Sequence, residues 1–518
     1  MSSEVSTEYL VIGAGPAGLQ ASYLLKQAGR DHLVLEAGAA AGTFFTRFPR
    51  HRMLISINKV HTGWDDPELN LRTDWNSLLS DDPELLFTAY TPRYFPGADD
   101  MVRYLGDFAV KNDLPIRYDT TVVSVTRPDD FVLRDQHGTG YRAKRLIVAT
   151  GVSQPYIPDI DGVEHAEPYC DVSVDPADFT GQRVLIIGRG NSAFETADNL
   201  VETAAVIHVA GPGSLKLAWQ THFVGHLRAV NNNFLDTYQL KSQNAVLDGH
   251  IAGIRREGDD FYVKVSFQRV NEVVKEIRYD RVVLATGFRF DASIFAPECR
   301  PQLTIKDRFP DQTAAWESVN VPDLFFAGTI TQARDFKKST SGFIHGFRYG
   351  VRALHRITEH RYHGVDWPSR ELTPDGVTEA IIERVNRTSA LWQLFTFMAD
   401  AVLFGSDGTV RYAEEVPVDH LHEAVARGDF GDVASYLTVT LEYGADHDKI
   451  NPFDITAGRT PQDDTSGLDG RYLHPVVRRF RAGELLGEHH LTENLENEWD
   501  SDEVHRAPLT RFLGASAK

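Results

Sequence analysis

Apolar and polar positions alternate along the chain in blocks that predict strands and helices in turn. The first apolar block, residues 9–12, is rich in β-formers and leads into glycines, after which residues 19–28 have helical spacing. A second apolar block, residues 32–35, ends in an acid. Strand, glycine turn, helix and strand in this order predict a βαβ unit at the start of the chain.

The turn of this unit has the spacing of a dinucleotide-binding loop. Gly13 permits the tight turn, Gly15 lets the backbone approach a pyrophosphate, and Gly18 lets helix and strand pack closely. The phosphates then lie on the free N–H groups at the helix N-terminus. Glu36 follows about twenty residues later, where a ribose hydroxyl needs an acceptor.

The same pattern returns in the middle of the chain. The apolar block 183–187 leads into the loop Gly188-Arg189-Gly190-Asn191-Ser192-Ala193, and a helix is predicted over 193–201. Two such loops predict two nucleotides and electron transfer between them. Where a 2′-phosphate usually meets an arginine, the chain has residues 210–213, and only Arg189 and Lys216 are nearby substitutes, which gives a weak preference for NADPH over NADH.

Three further apolar strands end at glycines. Two end in Ala-Thr-Gly, at Gly151 and Gly287, and predict the two crossings between nucleotide domains. The third, residues 324–326, stops at Gly328 and is followed by a predicted helix over about 343–360. The dipole of that helix points at whatever Gly328 touches, and a flavin pyrimidine suits that place.

These patterns predict an α/β fold with two Rossmann-like dinucleotide-binding domains, for FAD and NAD(P)H, and a C-terminal extension. The predicted segments are an FAD-binding part at 1–165 with an insertion at about 60–100, an NAD(P)H-binding domain at 166–282, a second FAD-binding part at 283–366 and the extension at 367–518. The extension either packs on the main body or forms an oligomer contact, and we expect a homo-oligomer. Within it we expect helices over 384–401 and 420–427 and a strand over 436–443.

Loops after these elements carry the candidate chemistry. A predicted strand over 54–57 delivers Asn58, Lys59 and His61 into a loop, where functional residues concentrate. The small-residue loop 37–45 suits a close passage under a flat cofactor, or is only a flexible turn.

Two other stretches also matter here. Clustered aromatics, histidines and amides in residues 219–236 line a pocket, or form a packed excursion. An alternating pattern over 261–270 predicts a strand.

Composition narrows the class of function. The chain has 518 residues, 42% of them hydrophobic, and a net charge of −20, which argues against a nucleic acid or an anionic membrane surface as partner. The two cysteines, Cys170 and Cys299, form no CxxC motif, and no spaced set of metal ligands is evident. No apolar run spans a bilayer and neither end carries a targeting signal, so we expect a cytoplasmic protein with a small-molecule substrate.

Together these features resemble the flavin-containing monooxygenases and the related N-hydroxylating monooxygenases over about residues 8–360. The resemblance rests on both glycine loops, Glu36, both Ala-Thr-Gly ends and Phe326-Ala327-Gly328. Residues 71–79 and 231–238 look closest to the FAD-dependent oxidoreductase-domain proteins, and among bacterial members to the aspartate N-hydroxylases that make nitrosuccinate.

One family fingerprint is not kept. Where the monooxygenases have a histidine before the second glycine loop, this chain has Tyr169 or Cys170, which indicates a divergent branch.

The resemblance implies roles for named residues. Asn58 falls beside the flavin, where it helps preserve a C4a-hydroperoxyflavin formed from NAD(P)H-reduced FAD and O₂, and Lys59 is its catalytic neighbour. Carboxylates of an amino-acid substrate need cationic clamps. The candidate clamps are Arg228, Arg334, Lys337 and Lys338. The candidate cofactor-binding residues are Gly13, Gly15, Pro16, Ala17, Gly18, Glu36, Gly42, Phe45, Val123 and Gly328 for FAD and Gly188, Gly190, Asn191 and Ser192 for the nicotinamide nucleotide.

The expected reaction is N-hydroxylation of a small amine such as aspartate. Alternatives are a Baeyer–Villiger or S-oxidising monooxygenase, a flavin-dependent reductase and a flavin-bearing binding protein. The reductase requires a reactive cysteine pair, which the spacing of the two cysteines does not offer.

Overall fold

The first sheet forms from the apolar blocks at the start of the chain. The computed structural model describes residues 4–268 and 273–514. Its early strands are β1 (Val5–Ile12), β2 (His32–Leu35), β3 (Ile116–Arg117), β4 (Val122–Thr126), β5 (Phe131–Asp135), β6 (Gly140–Val148) and a short β7 (Gln154–Pro155) outside the sheet. The sheet order is β3-β2-β1-β6-β5-β4, and a later strand at Leu324–Phe326 also pairs with β6. The first helices are α1 (Pro16–Gln27), α2 (Thr43–Arg47), α3 (Pro67–Leu71) and α4 (Ala98–Lys111).

β1 lies between two parallel neighbours, β2 and β6, so the glycine turn after it lies at the carboxyl edge of the sheet. The predicted strand over 54–57 is wrong. That stretch makes only isolated bridges at its two ends, Met53 with Gly97 and Asn58 with Asp74. Its apolar side chains pack without a continuous neighbouring strand.

The second sheet repeats the arrangement. Its strands are β8 (Glu167–Pro168), β9 (Arg183–Ile187), β10 (Val206–Gly211), β11 (Asn244–Glu257), β12 (Asp260–Phe267), β13 (Val274–Tyr279) and β14 (Arg281–Leu284), in the order β13-β12-β11-β10-β9-β14-β8. Its helices are α5 (Asn191–Leu200), α6 (Ala218–Thr221) and α7 (Asn233–Asp236). The strand predicted over 261–270 corresponds to β12, and its residues 269 and 270 lie outside the described residues.

The two crossings between these sheets pair with each other. β15 (Phe288–Arg289) runs antiparallel to β7, with Phe288 opposite Pro155. Each follows one of the Ala-Thr-Gly ends. The chain then forms the hairpin β16 (Leu303–Thr304) and β17 (Phe309–Pro310), the strand β18 (Leu324–Phe326) and the long helix α8 (Ile344–His363), which packs on α1.

The C-terminal extension contains a third, antiparallel sheet. Its strands are β19 (Ser369–Glu371), β20 (Met398–Phe404), β21 (Val410–Pro417), β22 (Ser435–Glu442), β23 (His474–Arg481) and β24 (Glu484–His490), in the order β19-β21-β20-β22-β23-β24. Its helices are α9 (Val377–Arg387), α10 (Ala390–Gln393), α11 (Val418–Arg427) and α12 (Ala507–Gly514).

In the extension, α11 and β22 confirm the predicted helix over 420–427 and strand over 436–443. The helix predicted over 384–401 is confirmed only in part: α9 ends at Arg387, α10 covers Ala390–Gln393, and the strand β20 begins at Met398. β20 lies inside the sheet and is buried on both faces, so its apolar run has no strand-like alternation.

Buried ion pairs join the extension to the first domain. The guanidinium of Arg384 lies 2.9 Å from Oδ2 of Asp400 and 2.6 Å from Oε1 of Glu68 in the insertion. Arg352 of α8 lies 2.5 Å from Glu415 of β21. Arg72 of the insertion donates to the carbonyl oxygens of residues 385 and 388 and so closes the end of α9. The extension therefore packs on the main body, which is one of the two alternatives that the sequence left open.

Aromatic contacts join the extension to the second domain as well. His222 stacks on Tyr443 with ring centroids 4.2 Å apart, and Trp219 lies 5.1 Å from Phe453. We call these four residues the aromatic clasp. In the part of the chain that the structure describes, no helix is long and apolar enough to cross a membrane.

Candidate functional site

The first glycine loop has the geometry that a bound pyrophosphate requires. Gly13 has a φ of +101°, and a Cβ there would lie 2.9 Å from the carbonyl oxygen of Ala149. A Cβ on Gly18 would lie 1.8 Å from the carbonyl oxygen of Gly13. A Cβ on Gly15 would meet no atom within 4 Å. Two of the glycines are thus needed by the fold, and Gly15 keeps open the space in front of α1.

Glu36 is fixed beside this loop. Its Oε2 accepts a hydrogen bond from the backbone N–H of Ala14 at 2.6 Å, and its Oε1 accepts from Gly38 at 2.8 Å. The carboxylate keeps further lone pairs, so it can accept from ribose hydroxyls without moving. The N–H of Gly42, in the adjacent small-residue loop, donates to the carbonyl oxygen of Ala14 at 2.9 Å. The loop is therefore fastened to the site.

The other candidate FAD contacts lie at different distances from this centre. Gly328 has a φ of +82°, and a Cβ there would lie 2.7 Å from Cβ of Ala17, so the end of β18 touches the start of α1. Phe45 is half-buried next to the fastened loop, whereas Val123 is half exposed at a bulge of the edge strand β4. The helix predicted over 343–360 is α8, but a 3₁₀ helix over Gly328–Asp335 and a loop precede it.

The second glycine loop repeats the first with one difference. A Cβ on Gly188 would lie 2.1 Å from the carbonyl oxygen of Ala285, while a Cβ on Gly190 would meet nothing within 4 Å. The side chain of Asn191 is occupied by protein. It donates to the carbonyl oxygen of His226 at 2.9 Å and accepts from the N–H of Arg228 at 3.0 Å. Only its backbone N–H remains for a phosphate.

A small, open cavity lies between the two nucleotide domains, beside the start of α5. Its lining includes Tyr169, Cys170, Ser192, Gly287 and Phe288. Ser192, a candidate nucleotide ligand, thus faces open space.

An acid that sequence reasoning missed lies beside this cavity. Glu195 accepts a hydrogen bond from the hydroxyl of Tyr169 at 3.2 Å. Burial raises the pKa of Glu195 to about 7. In the sequence, Glu195 was visible only as an acid on the side of α5 that packs against the protein.

The two candidate catalytic residues have different surroundings. Asn58 is 1% exposed, and its Nδ2 donates to the carbonyl oxygens of Thr91 at 2.8 Å and Arg93 at 3.2 Å. Its Oδ1 is buried without a hydrogen-bond partner in the described residues. Lys59 is exposed, because successive side chains of an extended segment point opposite ways. Asn58 therefore fits a polar group held near a buried ligand, and Lys59 is at the surface.

The candidate clamps do not converge. Arg334 forms an ion pair with Asp419 and lies between the rings of Trp316 and Phe397, 4.6 and 4.8 Å from its guanidinium carbon. Arg334 therefore joins the first domain to α11. Its guanidinium is already paired, which corrects the sequence prediction that it is a free clamp for the substrate. Arg228 is partly buried over Trp75 and donates to the carbonyl oxygen of Ile55.

The two lysines after Arg334 have a different character. Lys337 and Lys338 are both exposed, on the loop between the 3₁₀ helix over Gly328–Asp335 and α8.

Two stacked rings join the start of α8 to the insertion, and the sequence analysis did not single them out. His345, at the start of α8, is 2% exposed and stacks on Trp75 of the insertion with centroids 4.3 Å apart. Neither of its ring nitrogens has a partner in the described residues. Burial, with Arg348 and Arg228 nearby, holds the pKa of His345 far below its usual value. The imidazole is therefore neutral, and the stack keeps this region dry.

Comparison with known proteins places the chain. Residues 10–328 match the family described as pyridine nucleotide-disulphide oxidoreductase. The chain is 40% identical to the FAD-dependent oxidoreductase domain-containing protein 2 of Mus musculus and 37% identical to that of Danio rerio, in each case over 98% of this chain and 83% of the relative.

Two solved structures share the fold. A flavin-containing monooxygenase from Stenotrophomonas maltophilia has a TM-score of 0.54 at 19% identity, and the bacillithiol disulfide reductase Bdr of Bacillus cereus has 0.52 at 18%. Each match covers 69% of this chain and 99% of the other. The likeness confirms the predicted α/β fold with two Rossmann-like nucleotide-binding units. It does not distinguish oxygenation from disulfide reduction.

Proposed function

The chain belongs to the pyridine nucleotide-disulphide oxidoreductase family, whose members bind FAD and NADP(H), and from this premise we propose that it is a flavin-dependent monooxygenase of small amines. The placement of its cysteines supports the choice over a disulfide reductase. Cys299 is buried in the first domain, where its Sγ donates to the carbonyl oxygen of Val125, and Cys170 lines the cavity between the domains. The chain has no third cysteine. A flavin reduced here has no dithiol within this chain to reduce, and dissolved O₂ is the acceptor that we propose.

The residues at the two glycine loops fit both nucleotides. The open space at Gly15 and the fixed carboxylate of Glu36 suit the pyrophosphate and ribose of FAD, and the open space at Gly190 suits the pyrophosphate of NADPH. FAD, when bound, supplies hydride acceptance and the activation of O₂. The chain contributes binding, orientation and the exclusion of water.

Dryness is the contribution that an oxygenase needs most, since water in the site diverts oxygen to H₂O₂. The buried Asn58 and the ring stack of Trp75 and His345 supply it. An amine must also be neutral to act as a nucleophile. Burial, with help from two lysines, lowers the pKa of His226 to about 4, so this imidazole is neutral but too weakly basic to deprotonate an ammonium group. A pocket of low dielectric constant favours the neutral amine instead. Because the sequence resembles the aspartate N-hydroxylases, we include an acidic amino acid such as aspartate among the proposed substrates.

Rapid mixing tests the proposal directly. The FAD-loaded protein is reduced with NADPH without oxygen and then mixed with O₂, while flavin absorbance is followed and H₂O₂ is quantified. We expect a transient species whose absorbance differs from that of both reduced and oxidised flavin, and an amine such as aspartate that lowers the H₂O₂ yield. Direct return to oxidised flavin with H₂O₂ equal to the NADPH consumed, for every amine and amino acid screened, would refute the monooxygenase.

A further inference from the structure

Two cations from separate segments lie together near the cavity between the nucleotide domains, and the charge of a third acts on one of them. Arg308 comes from the β16–β17 hairpin, Lys337 from the loop before α8, and Lys216 from the loop after β10. The guanidinium carbon of Arg308 lies 5.9 Å from the ring centroid of Phe336, and Nζ of Lys337 lies 5.2 Å from the same centroid. Both charges therefore share one aromatic ring.

Two of these charges act on the third. Partial desolvation lowers the pKa of Lys337, and the positive charges of Arg308 and Lys216 lower it further. Burial is the main cause that lowers the pKa of His226, and the positive charges of Lys337 and Lys216 lower it further. The cluster thus reaches the excursion 219–236 that the sequence marked as a candidate pocket.

No acid of the described residues forms an ion pair with any of the three, although the chain carries a net charge of −20. Nε of Arg308 is buried and has no hydrogen-bond acceptor within the described chain. Arg334 and Arg189, by contrast, form ion pairs with Asp419 and Asp248. Unpaired cations held together without an acid raise the local concentration of anions.

The backbone that presents Arg308 is strained. Ile305, Lys306 and Asp307 all have φ values between +53° and +58°, a region that a β-branched residue such as Ile305 rarely adopts. Hydrogen bonds hold this turn closed, since the N–H of Arg308 donates to Thr304 at 3.1 Å and its carbonyl accepts from Phe290 at 2.9 Å. Strain of this kind is maintained where the position of a side chain matters.

The cluster lies at the mouth of the cavity. A Cβ on Gly287, which lines the cavity, would lie 3.7 Å from Nη2 of Arg308. Lys337 follows the 3₁₀ helix over Gly328–Asp335, whose first residue touches the FAD loop. An anion bound by both residues would therefore lie between the second Ala-Thr-Gly end and the flavin loop.

We propose that Arg308 and Lys337 form a binding site for a small dianionic group beside the interdomain cavity. A dicarboxylate substrate and the 2′-phosphate of NADPH carry the same double charge, and the guanidinium and ammonium groups recognise either by charge-assisted hydrogen bonds. The site does not depend on the monooxygenase reaction, because binding is measured without turnover.

Isothermal titration of the oxidised, FAD-loaded protein tests the site. The ligands are succinate, sulfate and 2′,5′-ADP at constant ionic strength, and the variants are Arg308→Gln and Lys337→Gln. Lys306→Gln is the matched control, because it removes the same charge from an exposed lysine on the hairpin that carries Arg308. Each test variant should weaken binding about tenfold or more, the usual effect of losing a charged hydrogen bond, and Lys306→Gln should leave it within about twofold.

The ligands separate the two sources of the dianion. Weakened succinate binding with unchanged 2′,5′-ADP binding assigns the site to a dicarboxylate, and the reverse assigns it to the nucleotide phosphate. FAD content and thermal unfolding of each variant report folding. The proposal is overturned if the wild-type protein binds none of the three ligands, or if Lys306→Gln weakens binding as much as Arg308→Gln or Lys337→Gln does.

Discussion

Gly15 and Gly190 give a paired test of the two nucleotide sites. Gly15 has φ −76° and ψ −177°, and Gly190 has φ −90° and ψ −177°, which is extended backbone that alanine also adopts. A Cβ at either position would meet no protein atom within 4 Å. Gly15→Ala and Gly190→Ala therefore leave the fold unchanged and place a methyl group only where a nucleotide phosphate would lie.

The size of the effect follows from this geometry. A methyl group forced into a close-packed contact costs about 1–3 kcal/mol, which raises a dissociation constant about 5- to 150-fold. The same substitution reduces the freedom of the unfolded chain, so the free energy of unfolding should rise by about 0.4–1 kcal/mol without ligand. Gly18→Ala is the contrasting control. Its Cβ would lie 1.8 Å from the carbonyl oxygen of Gly13, so it should fail to fold.

Two measurements separate the sites. Flavin fluorescence during reconstitution of the apoprotein gives the dissociation constant of FAD, and the concentration dependence of anaerobic flavin reduction gives that of NADPH. Gly15→Ala should weaken FAD binding, and Gly190→Ala should weaken only NADPH binding. The reasoning is refuted if Gly190→Ala loses FAD, or if Gly15→Ala binds FAD as tightly as the wild-type protein does.

Three further outcomes are expected. Asn58→Ala removes two buried hydrogen bonds, so it should lower the free energy of unfolding by about 1–3 kcal/mol and raise the H₂O₂ formed per NADPH consumed; an unchanged H₂O₂ yield would contradict a role beside the flavin. Arg384→Met leaves Asp400 and Glu415 buried with less counter-charge and should cost about 3–5 kcal/mol in urea unfolding, whereas Arg387→Met, at an exposed pair, should cost under about 1 kcal/mol. Glu195 has a folded pKa of about 7 against an ordinary 4.5, so its protonated form is favoured by folding, and stability should fall as pH rises from about 4.5 through 7, by at most about 3 kcal/mol. Glu195→Gln should remove that dependence, and equal pH profiles for variant and wild-type protein would show the shift to be absent.

Local patterns were enough to predict the nucleotide-binding units. The glycine loops, Glu36 and the Ala-Thr-Gly ends lie within a few residues of the strands that position them, so spacing along the chain determines their geometry. The helix at the end of the FAD-binding part and the helix and strand in the extension were also found within a few residues.

Side chains whose partners are distant in sequence were not predictable. Arg334 resembled a substrate clamp, but its guanidinium is paired with Asp419, a residue 85 positions later. Asn191 belongs to a glycine loop, yet its side chain holds residues 226 and 228 of the excursion. β20 was mistaken for a helix because burial on both faces removes the alternation that identifies a strand. Each outcome depends on tertiary packing.

With the aromatic clasp, each of the three units of the chain (the first domain, the second domain and the extension) contacts both of the others. The second domain touches the first through β7 and β15, the first touches the extension through ion pairs, and the extension touches the second through His222 and Tyr443. Bodies joined pairwise in this way cannot turn against one another as rigid units without separating one contact. On the function proposed above, any domain rotation that accompanies nicotinamide binding would therefore have to open one of these three contacts first.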